Sequence, residues 1–216
     1  VSHELKTPLT AIRGFAETLA GELTPDDQHF RFADTIRTNA ERMQHLIDEL
    51  LDLAKIESGG WIPSPAAVDV AAAAAEALAS VRDEAVQRGC DLRVEVHAAA
   101  TTVRADPVAV RQVLGNLVDN AVRYTPSGGT VTVFSVAEQG GVWLGVRDTG
   151  TGIAAEHLPR IFERFYRADP ARSRAAGGTG LGLAIVKHLV EAHGGRVKAE
   201  SRLGEGTTVA VFFPAA

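Results

Sequence analysis

The chain has 216 residues, of which 45 % are hydrophobic and 23 % are charged, a composition typical of a globular protein rather than a disordered one. Its formal net charge of −5 argues against non-specific binding to nucleic acid, so we expect no nucleic-acid partner. Cys90 is the only cysteine, which excludes an intramolecular disulfide and a zinc site built from several cysteines.

Two features concern the larger protein. No apolar run approaches the roughly 20 residues of a membrane-spanning helix. The chain begins at Val1 rather than at methionine, so we expect it to be a fragment of something longer.

The first 58 residues predict a helical hairpin. Apolar residues recur at threes and fours over residues 1–23, the period of an amphipathic helix, and Pro8 should kink this helix without ending it. After a turn at 23–27, a second helix is indicated by a 4-3-4-3-4 spacing of Ile36, Ala40, Met43, Ile47, Leu50 and Ala54. A lone hairpin cannot cover both apolar stripes. We therefore expect a homodimer in which two hairpins form a four-helix bundle.

Residues 59–65 contain two glycines and two prolines, which predict a linker and hinge before a second domain at 66–216. Helices and strands alternate in this domain, as in a two-layer α/β fold. We expect helices at 71–88, 107–124 and 181–193, and strands at 92–96, 130–137, 142–148, 196–201 and 207–213. The Gly-rich and Arg-rich section at 149–180 is too long for an ordinary connection and predicts a lid over a ligand.

A pair of amides marks the predicted helix at 107–124. Asn116 and Asn120 are four residues apart, so they share one helical face. Arg123 and Tyr124 follow one turn later and offer a cation for phosphate and an aromatic ring for a base. Taken alone, the pair fits an ordinary solvated polar face equally well.

Two glycine-rich strings follow. Asp148-Thr149-Gly150-Thr151-Gly152 places a carboxylate at a strand end before two glycines, where backbone can approach a flat ligand, although a plain turn has the same pattern. Gly178-Thr179-Gly180-Leu181-Gly182 opens a helix, so its free amides point toward an anion. This second string is neither a Rossmann loop nor a Walker loop, since no buried strand precedes it and no Gly-Lys-Ser/Thr follows.

The asparagine pair and the two glycine-rich strings, in the order in which they follow one another along the chain, resemble the ATP-binding domain of sensor histidine kinases. The N, G1, F, G2 and G3 boxes of that family correspond to residues 116–124, 148–152, 162–166, 178–182 and 204–207. The string Ser2-His3-Glu4-Leu5-Lys6-Thr7-Pro8-Leu9 resembles the H box of the same family, so the resemblance covers essentially the whole chain. The continuation Gly14-Phe15-Ala16-Glu17-Thr18-Leu19 is similar to phosphate-limitation sensor kinases.

The resemblance implies an α+β protein histidine kinase that uses ATP and Mg²⁺, with the helical hairpin followed by the sandwich that chaperone and topoisomerase ATPases share. It implies autophosphorylation on His3, transfer to an aspartate of a cognate response regulator, and phosphatase activity toward the phosphorylated regulator. We expect this catalytic part to lie in the cytoplasm without direct membrane contact, and the parent protein to be anchored in the inner membrane.

The resemblance also implies residue roles. Asn120 would ligate Mg²⁺, Asn116 would assist at the phosphates, Arg123 would neutralise charge, and Asp148 would read the adenine amine. The further nucleotide contacts it implies are Tyr124, Gly150, Gly152, Ile153, Gly178, Gly180, Leu181, Gly182 and Thr207. Phe162 and Phe165 would anchor the lid.

His3 has surroundings that the other histidines lack. It lies about 200° around the helix from Val1 and from Leu5, and so points away from the apolar stripe. Glu4 beside it is suited to take up the imidazole proton. Thr7 lies one turn further on, and the resemblance implies that it positions water when the regulator is dephosphorylated.

Two alternatives stay open. A nucleotide-driven conformational clamp would hydrolyse ATP with a carboxylate on the N-box helix, yet Gln112 occupies the position four before Asn116, and the nearest acid, Asp119, is off that face. A catalytically silent sensor scaffold is the other alternative. Phosphorylation in cis and in trans both fit the sequence.

Overall fold

The structure, a computed structural model, describes residues 2–168 and 178–215, with side chains from residue 6 onward. It divides into two units, Val1–Lys55 and Ile56–Ala216. No helix in the described part of the chain combines the length and apolar character that crossing a membrane requires.

The first unit confirms the predicted helical hairpin. Helix α1 spans Ser2–Gly21 and contains Pro8, and helix α2 spans Gln28–Glu57. The buried apolar side chains of this unit are mostly small; they are Leu9, Ala16, Ala33, Ala40 and Leu53. An ion pair between Lys6 Nζ and Asp48 Oδ1, at 2.5 Å, joins α1 to α2 on the outside of the hairpin.

The second unit confirms the predicted α/β domain. In chain order its elements are β1 (Ala66–Asp69), α3 (Val70–Ser80), α4 (Arg82–Arg88), β2 (Asp91–Val96), β3 (Thr102–Ala105), α5 (Pro107–Tyr124), β4 (Thr130–Glu138), β5 (Gly141–Asp148), a 3₁₀ turn (Leu158–Arg160), α6 (Gly182–Ala192), β6 (Arg196–Arg202) and β7 (Gly206–Pro214). Within the described residues the main sheet has the order β2-β4-β5-β7-β6. β2 runs parallel to β4, and the other neighbours are antiparallel.

Helix α5 carries one face of the expected site and forms for reasons visible in the sequence. Asp106 caps it by accepting hydrogen bonds from the amides of Val108, at 2.8 Å, and Ala109, and Pro107 occupies its first position. Its apolar face is buried through Val110, Val113, Leu114, Leu117 and Val118. Burial of this stripe leaves the amides of Asn116 and Asn120 on a different face of the helix.

Two local features differ from the sequence prediction. The helix predicted at 71–88 is divided at Val81, whose φ of −110° and ψ of 5° are not helical, into α3 and α4. The strands β1 and β3 were not predicted, and they pair antiparallel with Ala66 opposite Ala105. Each has only four residues, too few for a clear alternation, so the pairing itself defines them.

Candidate active site

A buried carboxylate stands at the end of β5. Asp148 is only 9 % exposed, and its Oδ1 accepts hydrogen bonds from the amides of Gly150, at 2.8 Å, and Thr207, at 3.2 Å. Burial raises the pKa of the Asp148 carboxyl, and the two amide hydrogen bonds offset part of that rise. Because both bonds end on Oδ1, the second oxygen is left for a donor from a ligand.

The backbone around this carboxylate is tightly packed at two glycines. A Cβ on Gly150 would lie 2.6 Å from Asp148 Oδ1 and equally close to the carbonyl oxygen of Tyr124. Gly152 has φ +67°, and a Cβ there would collide with the carbonyl of Arg202. Only glycine fits at these positions, which brings the end of α5, the end of β5 and the end of β6 together.

Ser201, which the sequence analysis missed, joins the end of β6 to the loop after β5 and to the start of β7. Ser201 Oγ accepts a hydrogen bond from the Ile153 amide at 2.8 Å, donates to the Gly206 carbonyl at 2.7 Å, and lies 2.9 Å from Thr207 Oγ1. Ser201 thereby fixes two residues expected to contact the nucleotide. The one signal for it was the alternation of β6, which puts this polar residue on the same side as Val197.

At the other end of the site, α5 meets the glycine-rich turn that precedes α6. A Cβ on Gly182 would lie 2.6 Å from Asn116 Oδ1, and Asn116 Nδ2 donates to the Gln112 carbonyl at 2.9 Å. Asn120 is half-buried one turn further along α5. The Leu181 amide donates to Thr179 Oγ1 at 3.2 Å. The structure therefore brings the N-box and G2-box strings into contact.

Arg123 already has an acidic partner. Its Nη2 lies 2.7 Å from Asp119 Oδ2, and its side chain is 18 % exposed. The positive charge expected to meet phosphate is therefore neutralised by a neighbour one helical turn away.

The residues expected to anchor a lid differ in burial. Phe162 is half-buried, whereas Phe165 is 56 % exposed and has a φ of +60°, a left-handed conformation. The Phe165 amide donates to the Gly180 carbonyl at 2.9 Å, so its backbone joins the lid base to the glycine turn. Residues 169–177 of the predicted lid lie outside the described residues. Gly178 opens the next described stretch.

A second missed residue is Arg167, which directly follows the F-box string. Its Nε and Nη2 atoms are buried and have no hydrogen-bond partner among the described residues. Leaving charged donor atoms buried without a partner is costly, so these two nitrogens are suited to an incoming anion. An arginine next to the aromatic string was the only sequence signal.

The phosphoacceptor string lies in the first unit, apart from this site in the sequence. His3 and Glu4 belong to the first turns of α1, before residue 6, where the side chains described by the structure begin. Thr7 is exposed on the same helix.

Comparison with known protein families identifies the chain. Residues 105–216 match the family described as histidine kinase-, DNA gyrase B-, and HSP90-like ATPase. The chain belongs to this family. Residues 1–59 match the His Kinase A (phospho-acceptor) domain, and the two matches together make the chain the catalytic core of a sensor histidine kinase that uses ATP.

Curated relatives of this histidine kinase core include two sensor proteins. The phosphate regulon sensor protein PhoR of Pseudomonas aeruginosa is 41 % identical over 99 % of this chain and 48 % of its own length. The sensor-like histidine kinase SenX3 of Mycobacterium tuberculosis is 37 % identical over 100 % of this chain and 52 % of its own. The chain thus spans about half the length of the curated relatives it matches.

Solved histidine kinases share its fold. Full-length ShkA, solved in complex with AMPPNP, matches with a TM-score of 0.81 and 30 % identity over 100 % of this chain and 45 % of that chain. The Acinetobacter baumannii histidine kinase AdeS matches with a TM-score of 0.70 and 25 % identity over 99 % of this chain and 98 % of that chain.

Proposed function

We propose that this histidine kinase core transfers the γ-phosphoryl group of ATP to His3 and from there to an aspartate of a response regulator. The observation that carries the proposal is the joint occurrence of an ATPase fold over residues 105–216 and a phospho-acceptor domain over residues 1–59. An ATPase that acted only as a conformational clamp would have no use for the second domain.

Asp148 recognises adenine in this proposal. Its free oxygen accepts from the exocyclic amine, while the amides of Gly150 and Thr207 hold the carboxylate in place. The absence of side chains at Gly150 and Gly152 lets backbone approach the flat base, and Tyr124 and Ile153 line the pocket. The buried acceptor favours a base with a donor at this position.

The phosphates bind at the glycine turn. The amides of Gly178, Gly180 and Leu181 and the N-terminus of α6 offer donors and a favourable dipole for anionic oxygens, and Gly182 lets the turn approach α5. Arg167 provides the positive charge, because its buried Nε and Nη2 atoms have no hydrogen-bond partner among the described residues.

Arg123 contributes charge to a smaller extent, because Asp119 already pairs with it.

Asn120 binds Mg²⁺ through its amide oxygen, with Asn116 assisting at the phosphates. Among the described residues no group of three or more acidic, histidine or cysteine side chains is arranged to hold a metal ion. An amide oxygen of Asn120 fits Mg²⁺ that is bound together with a nucleotide, because such an ion needs only one or two protein oxygens beside phosphate and water. The ion supplies neutralisation of charge on the β- and γ-phosphates.

Transfer to His3 forms a phosphorus–nitrogen bond and breaks the bond between the γ-phosphorus and the bridging oxygen, so that ADP leaves. Glu4 takes up the proton of the other ring nitrogen and orients the imidazole. In the second step the phosphoryl group passes to a regulator aspartate and the histidine is regenerated. Thr7 positions water when the phosphorylated regulator is hydrolysed.

The core acts as a homodimer. Apolar side chains stay exposed along the isolated hairpin, with Phe15 the most exposed at 73 %; they are Ile12, Phe15, Leu19, Phe32, Ile36, Met43 and Leu50. A second hairpin would bury this stripe in a four-helix bundle. The match of residues 1–59 to a phospho-acceptor domain supports the same assembly.

The test is incubation with γ-labelled ATP and Mg²⁺, comparing the wild-type chain with His3→Gln. We expect a label on the wild type only, and this label should be acid-labile and alkali-stable, because the phosphorus–nitrogen bond of a phosphoramidate breaks readily once the nitrogen is protonated. The wild type and His3→Gln should bind nucleotide equally well. Transfer of the label to a response regulator tests the second step. Release of free phosphate without any label on protein would support the clamp instead, and neither product would indicate a silent scaffold.

A further inference from the structure

Three side chains beside the glycine turn form a cluster to which the function above assigns no role. We propose that two of them, His157 and Arg160, are positioning residues: they hold the third, Tyr166, and through it the phosphate-binding turn at Gly180. This cluster, the tyrosine brace, would strengthen binding of the phosphates of ATP and leave binding of the adenosine part unchanged. The inference rests on the proposed function in taking ATP as the ligand and the turn at Gly180 as the site of its phosphates.

His157 holds the tyrosine at its hydroxyl. The ring is half-buried just before the 3₁₀ turn, and its Nδ1 lies 2.7 Å from Tyr166 Oη. The opposite ring nitrogen, Nε2, faces the carboxylate of Glu156 at 3.7 Å. A proton on Nε2 is favoured by that carboxylate and leaves Nδ1 to accept from the tyrosine hydroxyl.

Arg160 holds the same tyrosine at its ring face. The guanidinium carbon lies 4.2 Å from the centre of the Tyr166 ring, within the range of a cation–π contact. Glu163 keeps the guanidinium in place through an ion pair of 3.1 Å. Tyr166 is therefore fixed at two independent points, both on the segment that ends at Arg160.

The tyrosine in turn lies against the glycine turn through its backbone. A Cβ on Gly180 would come within 3.2 Å of the Tyr166 carbonyl oxygen and 3.0 Å of Phe165 Cα. The Phe165 amide donates to the Gly180 carbonyl at 2.9 Å. A shift of Tyr166 would therefore move the turn whose amides are proposed to meet the phosphates.

The strained backbone at Phe165 explains why this segment needs support. Its φ of +60° is unfavourable for a phenylalanine, and such conformations persist only where surrounding contacts determine them. Phe165 is itself more than half exposed, so its own side chain supplies little of that support. The neighbouring Tyr166, fixed by the brace, supplies it instead.

The experiment compares the affinities of ATP and AMP for the full chain carrying His157→Ala, Tyr166→Phe or both changes. Each single change should weaken ATP binding about 5-fold, as expected for one lost hydrogen bond, and leave AMP binding within 2-fold. The double variant should lose no more than either single variant, because both remove the same bond. His157→Gln, whose amide can still bond the hydroxyl, should restore ATP affinity.

Controls separate the brace from a general effect on folding. His97→Ala removes an exposed histidine of the same unit and should change neither affinity. Tyr166→Phe keeps the ring and its contact with Arg160, so its melting temperature should stay close to that of the wild type.

Equal losses for ATP and AMP, or no loss for either, would overturn the brace. A wild type that binds ATP no more tightly than AMP would overturn it as well. Nucleotide binding that behaves as expected without any label on His3 would overturn only the proposed function.

Discussion

Replacing Asp148 by asparagine should separate nucleotide recognition from stability. The asparagine oxygen can still accept from the amides of Gly150 and Thr207, because both bonds in the structure end on one carboxylate oxygen. The amide nitrogen then replaces the free oxygen and presents a donor to the adenine amine. The variant loses a hydrogen bond to a charged acceptor, about 1.5–3 kcal/mol, so ATP affinity should fall about 10- to 150-fold.

Stability should respond in the opposite direction. Because burial raises the pKa of Asp148, its carboxylate form is disfavoured in the folded state. The stability linked to this group is present below the unfolded pKa and is lost as pH rises through the higher folded pKa. Asparagine has no charged form and so avoids the stability cost of a buried carboxylate at neutral pH. Urea unfolding at neutral pH should therefore give an equal or higher free energy of unfolding for Asp148→Asn than for the wild type.

The assay is calorimetric titration of both chains with ATP and with inosine triphosphate, which carries a carbonyl where adenine carries its amine. The wild type should prefer ATP, and the variant should prefer inosine triphosphate, since its amide donates to that carbonyl. A variant that keeps wild-type affinity for ATP, or that gains nothing on inosine triphosphate, would refute adenine recognition by Asp148.

Further predictions concern the metal, the backbone and pH. Asn120→Ala should remove the Mg²⁺-dependent part of ATP affinity without lowering the melting temperature, measured by titration with and without EDTA; unchanged Mg²⁺ dependence would contradict the metal role. Gly206→Ala, at φ +113° with its Cβ against the Asp148 carbonyl, should lower the free energy of unfolding by at least about 1–2 kcal/mol. Its control Gly115→Ala, in open space on α5, should raise it by about 0.5–1 kcal/mol in the same urea titration. Protonation of Asp148 removes the acceptor for adenine, so ATP affinity should fall as the pH is lowered. Because the pKa of Asp148 is raised, this fall should begin at a higher pH than it would for an aspartate with the ordinary pKa of 3.8. Titration with ATP at several pH values checks this.

The elements that sequence could predict are those with local signals. Asp106 and Pro107 marked the start of α5, and the buried stripe from Val110 to Val118 followed from its periodicity. The strings around Asp148 and Gly180 predict the candidate site, because their chemistry is carried by neighbouring residues in the sequence.

What sequence could not predict depends on distant contacts. The break at Val81 has no glycine or proline to mark it, and β1 exists only because β3 pairs with it. Ser201 and Arg167 belong to no predicted motif. Ser201 acts through bonds to loops that come together only in the fold, and Arg167 is notable because two of its nitrogens are buried with no partner among the described residues.

The pairing of β5 with β7 has a consequence for folding kinetics. Asp148 and Thr207 are 59 residues apart along the chain, so the proposed adenine end of the site is complete only when a long loop has closed. The hairpins β4–β5 and β6–β7 join neighbouring segments and should form earlier. A nucleotide that binds only after this closure should slow unfolding and leave the refolding rate nearly unchanged.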